Sequence, residues 1–68
     1  MTTDTLLTAS FPLIAWVQLD DLGHFTVVEG IDRGHVSVAD PTRGYLSLDL
    51  DDWQSIWLQG NQGIALEL

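Results

Sequence analysis

Apolar side chains fall in short runs along this chain, and clusters of turn-forming residues separate the runs. Residues 11–18 are mostly apolar, with Pro12 near the start where a missing N–H is tolerated, and read as a buried strand. Leu19-Asp20-Asp21-Leu22-Gly23 reads as a turn. Residues 24–31, rich in β-branched side chains, predict a second strand, Asp32-Arg33-Gly34 a tight turn, and residues 35–40 a third strand. Pro41-Thr42-Arg43-Gly44 predicts another turn, and residues 45–48 a short fourth strand. The spacing then changes. Leu50, Trp53, Ile56 and Trp57 recur at helical intervals, which predicts a helix over 50–58. Asp49 suits its N-cap, and Asp51 and Asp52 sit where the helix dipole favours anions. Gly60-Asn61-Gln62-Gly63 ends the helix, and 64–68 reads as a last strand. Residues 1–10 are polar apart from Leu6-Leu7 and predict a tail or one short helical turn. The pattern is α+β: an antiparallel sheet of about five strands with one short C-terminal helix, spanning residues 11–68.

Composition narrows the function. A chain of 68 residues is one small domain, and such domains commonly need staples. With no cysteine, disulfides and thiolate metal sites are excluded. Hydrophobic residues make up 46 % of the chain, more than so short a chain is expected to cover, so an oligomer or a covering partner is expected. The net charge is −8 and only Arg33 and Arg43 are basic, which argues against nucleic acid and anionic membrane surfaces. No apolar run approaches the roughly 18–20 residues of a membrane span, and Met1-Thr2-Thr3-Asp4 lacks the positive charge of a signal peptide. A cytoplasmic location is the expectation.

The candidate chemistry lies in two segments, Gly23-His24-Phe25-Thr26-Val27-Val28 and Val38-Ala39-Asp40-Pro41-Thr42-Arg43-Gly44. A His opens one strand and an Asp closes the next, an arrangement that suits an imidazole base held by a carboxylate. Whether the two meet depends on the hairpin between them. A three-residue loop, Asp32-Arg33-Gly34 with Gly34 at positive φ, sets Ile31 opposite His35 and Thr26 opposite Asp40. His24 then shares a face with Asp40 as its diagonal neighbour, roughly 7–8 Å away at Cα. A two-residue turn at Arg33-Gly34 shifts the register by one and sends the two side chains to opposite faces. The odd loop is therefore the expectation, with Val28, Val36 and Val38 on the same face as His24.

These segments resemble the bacteriocin-processing cysteine peptidases, the papain-like leader-peptidase domains of peptide-exporting ABC transporters. The resemblance covers Pro12-Leu13-Ile14-Ala15-Trp16, the two segments above, the acidic helix with Trp57, and Gly63-Ile64-Ala65-Leu66. It implies that His24 is the general base and Asp40 the residue that orients it. It also implies that the cysteine nucleophile and an oxyanion-hole glutamine belong to an N-terminal half that these residues do not include. Gln18, Gln54, Gln59 and Gln62 do not match the oxyanion motif. The implied protein is a peptidase-like half-domain, catalytically incomplete alone, which binds a leader peptide or docks a chain carrying the nucleophile. As alternatives it is half of a split peptidase or a homo-oligomeric interaction module. Val28, Val36 and Val38 are expected to be partly exposed where the missing half would lie.

Plainer readings stand beside these. A His at a strand start is commonly an ordinary surface residue, and Asp40 before Pro41 is equally a turn-initiating Asp whose side chain bonds nearby backbone. His35 falls on the opposite face as a surface residue. Trp53 and Trp57 read as core rather than a ligand platform. Asp49, Asp51 and Asp52 lack the glycine and distal glutamate of a calcium loop and read as helix capping. The combination His24, Asp20 and Asp40 has generic spacing, and no metal or cofactor is assigned.

Overall fold

The computed structural model describes residues 1–19 and 22–68. Helix α1 (Thr3–Leu7) is followed by strands β1 (Leu13–Leu19), β2 (Leu22–Asp32), β3 (His35–Asp40) and β4 (Gly44–Asp49). Helix α2 (Leu50–Trp57), a hairpin of β5 (Leu58–Gln59) and β6 (Gln62–Gly63), and β7 (Ala65–Glu67) complete the order. Five strands form one antiparallel sheet in the order β4-β3-β2-β1-β7. The expected α+β architecture is present. Leu22 and Gly23, expected in a turn, belong to β2, while the expected turn residues Asp20 and Asp21 lie outside the described residues.

One face of the sheet carries the core. Leu13, Ala15, Val17, Val28, Val36 and Val38 are buried there beneath Leu6, Trp53 and Trp57. Helix α2 forms where the sequence predicts. Asp49 Oδ1 accepts from the Asp52 N–H at 2.8 Å, and the Leu50 N–H donates to Gly34 O at 2.9 Å, which ties the β2–β3 turn to the first turn of α2. The Trp53 and Trp57 rings stack with centroids 5.7 Å apart. Trp57 Nε1 donates to Ile64 O at 3.1 Å, and its ring lies so close to Gly63 that a Cβ there would fall 2.1 Å from Cε2. The two helices close this face. Val28, Val36 and Val38 are therefore buried, against the expectation of partial exposure. Leu6 and the two tryptophans take the place assigned to a missing half.

The β2–β3 hairpin corrects a second expectation. Its turn has two residues, with Asp32 paired to His35, Arg33 at φ 53° and Gly34 at φ 76°. Positive φ at both positions is the mark of a type I′ turn, whose twist matches the flanking strands. Alone, this turn would separate His24 and Asp40. A β-bulge reverses the shift: Val28 pairs with Val38, but Gly30 pairs with Ser37, which leaves Glu29 as the extra residue. From the bulge onward Val27 faces Ala39, the register that the odd loop would have produced.

Candidate active site

His24 sits near the start of β2, opposite Val17 of β1, and so points to the core face at the end of the sheet. Asp40 ends β3 on that same face. The two meet: His24 Nε2 lies 2.8 Å from Asp40 Oδ2. The carboxylate is enclosed and the imidazole is not, their side chains being 1 % and 24 % exposed.

The Asp-Pro-Thr sequence explains how a buried carboxylate is tolerated. Pro41 turns the chain, and Asp40 Oδ1 accepts from the Thr42 N–H at 2.9 Å, the Thr42 hydroxyl at 2.7 Å and the Arg43 N–H at 3.1 Å. This is the turn-capping role of an Asx residue. The turn bonds fall on Oδ1 and the contact with His24 on Oδ2, so one does not exclude the other. Burial alone would raise the Asp40 carboxyl. The hydrogen bonds from His24 and from the Thr42 hydroxyl and backbone outweigh it and hold the group well below the ordinary carboxylate range. Asp40 is ionised at neutral pH.

That charge settles the imidazole tautomer. An ionised carboxylate only accepts hydrogen bonds, so the proton between the pair belongs to His24 Nε2. In the neutral ring the free lone pair is then on Nδ1. The assignment is the reverse of the serine-peptidase arrangement, in which the carboxylate holds Nδ1 and Nε2 is the base. A partly exposed imidazole held in one tautomer by a buried carboxylate is suited to accept a proton from a nucleophile placed at Nδ1. The 68 residues contain no cysteine to fill that place. Thr26, the buried hydroxyl on the same face, donates to Ala39 O at 3.3 Å.

The other candidate residues lie elsewhere. His35 is exposed, with Nδ1 3.2 Å from Arg33 O. Gln54 donates to Thr3 Oγ1, and Gln62 accepts from the Met1 ammonium group. Among the described residues, no three His, Cys, Asp or Glu side chains group as a metal site, and Asp20 lies outside them. Sequence reasoning missed Thr42. A signal for it exists, since a hydroxyl two residues after a turn-initiating Asp is well placed to close back on the carboxylate. On the other face, Ile14, Phe25, Val27, Ala39 and Tyr45 line an apolar cleft of about 420 Å³ that reaches Asp40 and Pro41.

The sheet thus holds a partly exposed imidazole against a buried, ionised carboxylate, an arrangement suited to general-base chemistry. The chain belongs to the peptidase C39 family, whose sequence model matches residues 1–66. It is 33 % identical over 54 residues to a probable functional amyloid protease, FapD, of Pseudomonas fluorescens. That match takes in 79 % of this chain and 24 % of the relative, so the chain spans about a quarter of the relative's length. No solved structure gives a significant match.

Proposed function

We propose that these 68 residues supply the His–Asp part of a C39-type peptidase site: His24 as general base and Asp40 as the carboxylate that orients it. The domain is catalytically incomplete by itself. A cysteine carried outside these residues, on another segment or another chain, would approach His24 Nδ1 and lose its proton there. The thiolate would then attack a peptide carbonyl, and the imidazolium would return the proton to the leaving amine. The observation that supports this reading is the 2.8 Å contact of the ionised Asp40 with Nε2, which leaves Nδ1 the unprotonated nitrogen of the neutral ring. By family resemblance the substrate class is a leader peptide of an exported peptide, handled in the cytoplasm. FapD is named for functional amyloid, a second class of polypeptide substrate to test.

A second reading, peptide holding without cleavage, is favoured by the apolar cleft beside Asp40. Leader-peptide cleavage by the chain mixed with a cysteine-bearing partner decides between the two. The first reading expects cleavage that is lost in His24→Ala and inactivity of the chain alone. Binding that is insensitive to His24→Ala, without cleavage in any mixture, supports the second. Cleavage that survives His24→Ala would overturn the assignment of His24.

A further inference from the structure

The face of the sheet opposite the core is not covered by the described residues; Ser37, Ser47, His35 and Asp49 occupy one end of it, and the rest is apolar. Leu66 pairs with Ile14, Ile14 with Val27, Val27 with Ala39, and Ala39 with Tyr45. These five residues make one apolar row across all five strands. A second row lies beside it, where Trp16 meets Phe25 edge to face with ring centroids 4.8 Å apart. Tyr45 is 82 % exposed, Leu66 66 % and Phe25 55 %. Neither row contains a charged side chain, although the chain carries −8 overall. An aromatic and aliphatic centre depleted of charge has the composition of an interface core.

We propose that this face is the interface of a homodimer, with two copies packing sheet to sheet across a two-fold axis. Three observations favour a second copy as the occupant. The first is area. The exposed apolar side chains of the two rows, with Ile64 and Leu68 at their margin, present roughly 700 Å², taking the usual ~150–250 Å² for an aromatic and somewhat less for Leu or Ile. Stable interfaces bury about 600–1,000 Å² on each partner, a range this area falls within. The second is shape. Apolar faces of sheets pack about 10 Å apart with interdigitating side chains, and a copy offers a row of the same length and composition. The cleft beside Tyr45 gives the opposing copy's protruding side chains a place to enter. The third is charge. A basic partner would be drawn to the acidic surface and would find no counter-charge within the rows. The interface differs from the one expected from sequence, because Val28, Val36 and Val38 are buried within the monomer. It also leaves the exposed side of His24 on the other face.

Sedimentation equilibrium of the 68-residue chain across concentration and salt tests the proposal. The expected result is a mass that rises from 7.5 kDa toward twice that value, with tighter association at high salt as the repulsion between two −8 chains is screened. Val27→Asp and Leu66→Asp should each weaken the dimer by at least about tenfold while far-UV circular dichroism is unchanged, since both positions lie on the uncovered face. If either variant does not fold, isotope-filtered NMR on a mixture of labelled and unlabelled native chain gives the same answer through contacts between Val27 methyl groups and the other copy's Tyr45 ring. A monomer at every concentration and salt would overturn the proposal. So would a dimer that both variants leave intact, or one whose intermolecular contacts lie on the β4 edge. An assembly that forms only with a basic peptide and weakens with salt would also overturn it. None of these readouts involves peptide cleavage, so this proposal and the peptidase reading fail separately.

Discussion

Replacing Asp40 with asparagine tests how the site and the fold depend on each other. The side chain is 1 % exposed and accepts four hydrogen bonds: three on Oδ1 from Thr42 and Arg43, and one on Oδ2 from His24. Hydrogen bonds to a charged acceptor contribute about 1.5–3 kcal/mol each and neutral ones about 0.5–1.5 kcal/mol. The asparagine side chain would keep the three Oδ1 bonds in weaker form and would present an NH2 group to the imidazole. With partial relaxation, the loss is about 2–3 kcal/mol. A core of this size seldom supplies more than about 3–5 kcal/mol, so most of the stability would go, and the melting temperature should fall by about 10–20 °C. Urea unfolding followed by tryptophan fluorescence reads the change directly, because Trp53 and Trp57 are fully buried. The pH dependence gives an internal check. The Asp40 carboxyl titrates below its ordinary range when folded, so its stabilisation is present above the unfolded value near pH 4 and is lost as pH falls through the lower folded value. Native protein should therefore lose stability on acidification below about pH 4 more steeply than Asp40→Asn does. A variant within about 0.5 kcal/mol of the native protein at pH 7, with the same acid profile, would refute the idea that Asp40 is a charged buried anchor.

Other outcomes follow from the same geometry. Deleting Glu29 removes the bulge while leaving the type I′ turn, so it should either unfold the domain or send His24 and Asp40 to opposite faces, which the His24 imidazole shifts in NMR would report. Gly63→Ala places a Cβ about 2.1 Å from the Trp57 ring and should cost at least about 1–3 kcal/mol in urea unfolding. Thr42→Val removes one Oδ1 hydrogen bond while keeping shape, and should destabilise by about 1–3 kcal/mol, with Thr42→Ser largely restoring the loss. The purified 68-residue chain should neither cleave peptides nor react with thiol-directed inhibitors, and turnover abolished by His24→Ala would point to another nucleophile.

Much of this architecture is legible in the sequence because each strand is marked by an apolar run and closed by turn chemistry. The boundaries of β3 and the Asp49 cap are read directly, since Gly34 precedes the one and Asp-x-x-Asp marks the other. The hairpin is instructive in a different way. Its expected three-residue loop is absent, yet His24 and Asp40 still share a face, because the bulge at Glu29 supplies the extra residue that the turn does not. Bulges lack a strong local signature. Glu29-Gly30 within a β-branched run is a weak one, visible only once the turn type is known. The burial of Val28, Val36 and Val38 is not legible for a tertiary reason. Periodicity shows which face of α2 is apolar but not which sheet face it covers, and α1 is a five-residue helix with little propensity signal beyond Leu6. The uncovered apolar face follows from the same fact, since two short helices close only one side of a five-stranded sheet.

The proposed role of Nδ1 as the base rests on the protonation of the other nitrogen, and long-range 1H–15N correlation NMR of His24 in the native chain observes it directly. In the neutral ring Nε2 should carry the proton and Nδ1 should show the shift of an unprotonated nitrogen. In Asp40→Asn the three donors from Thr42 and Arg43 hold the amide oxygen in place, so its NH2 group faces Nε2 and the ring proton should move to Nδ1. A native His24 protonated on Nδ1, or one whose tautomer is the same with and without the carboxylate, would contradict the proposal that Asp40 orients His24 as a base.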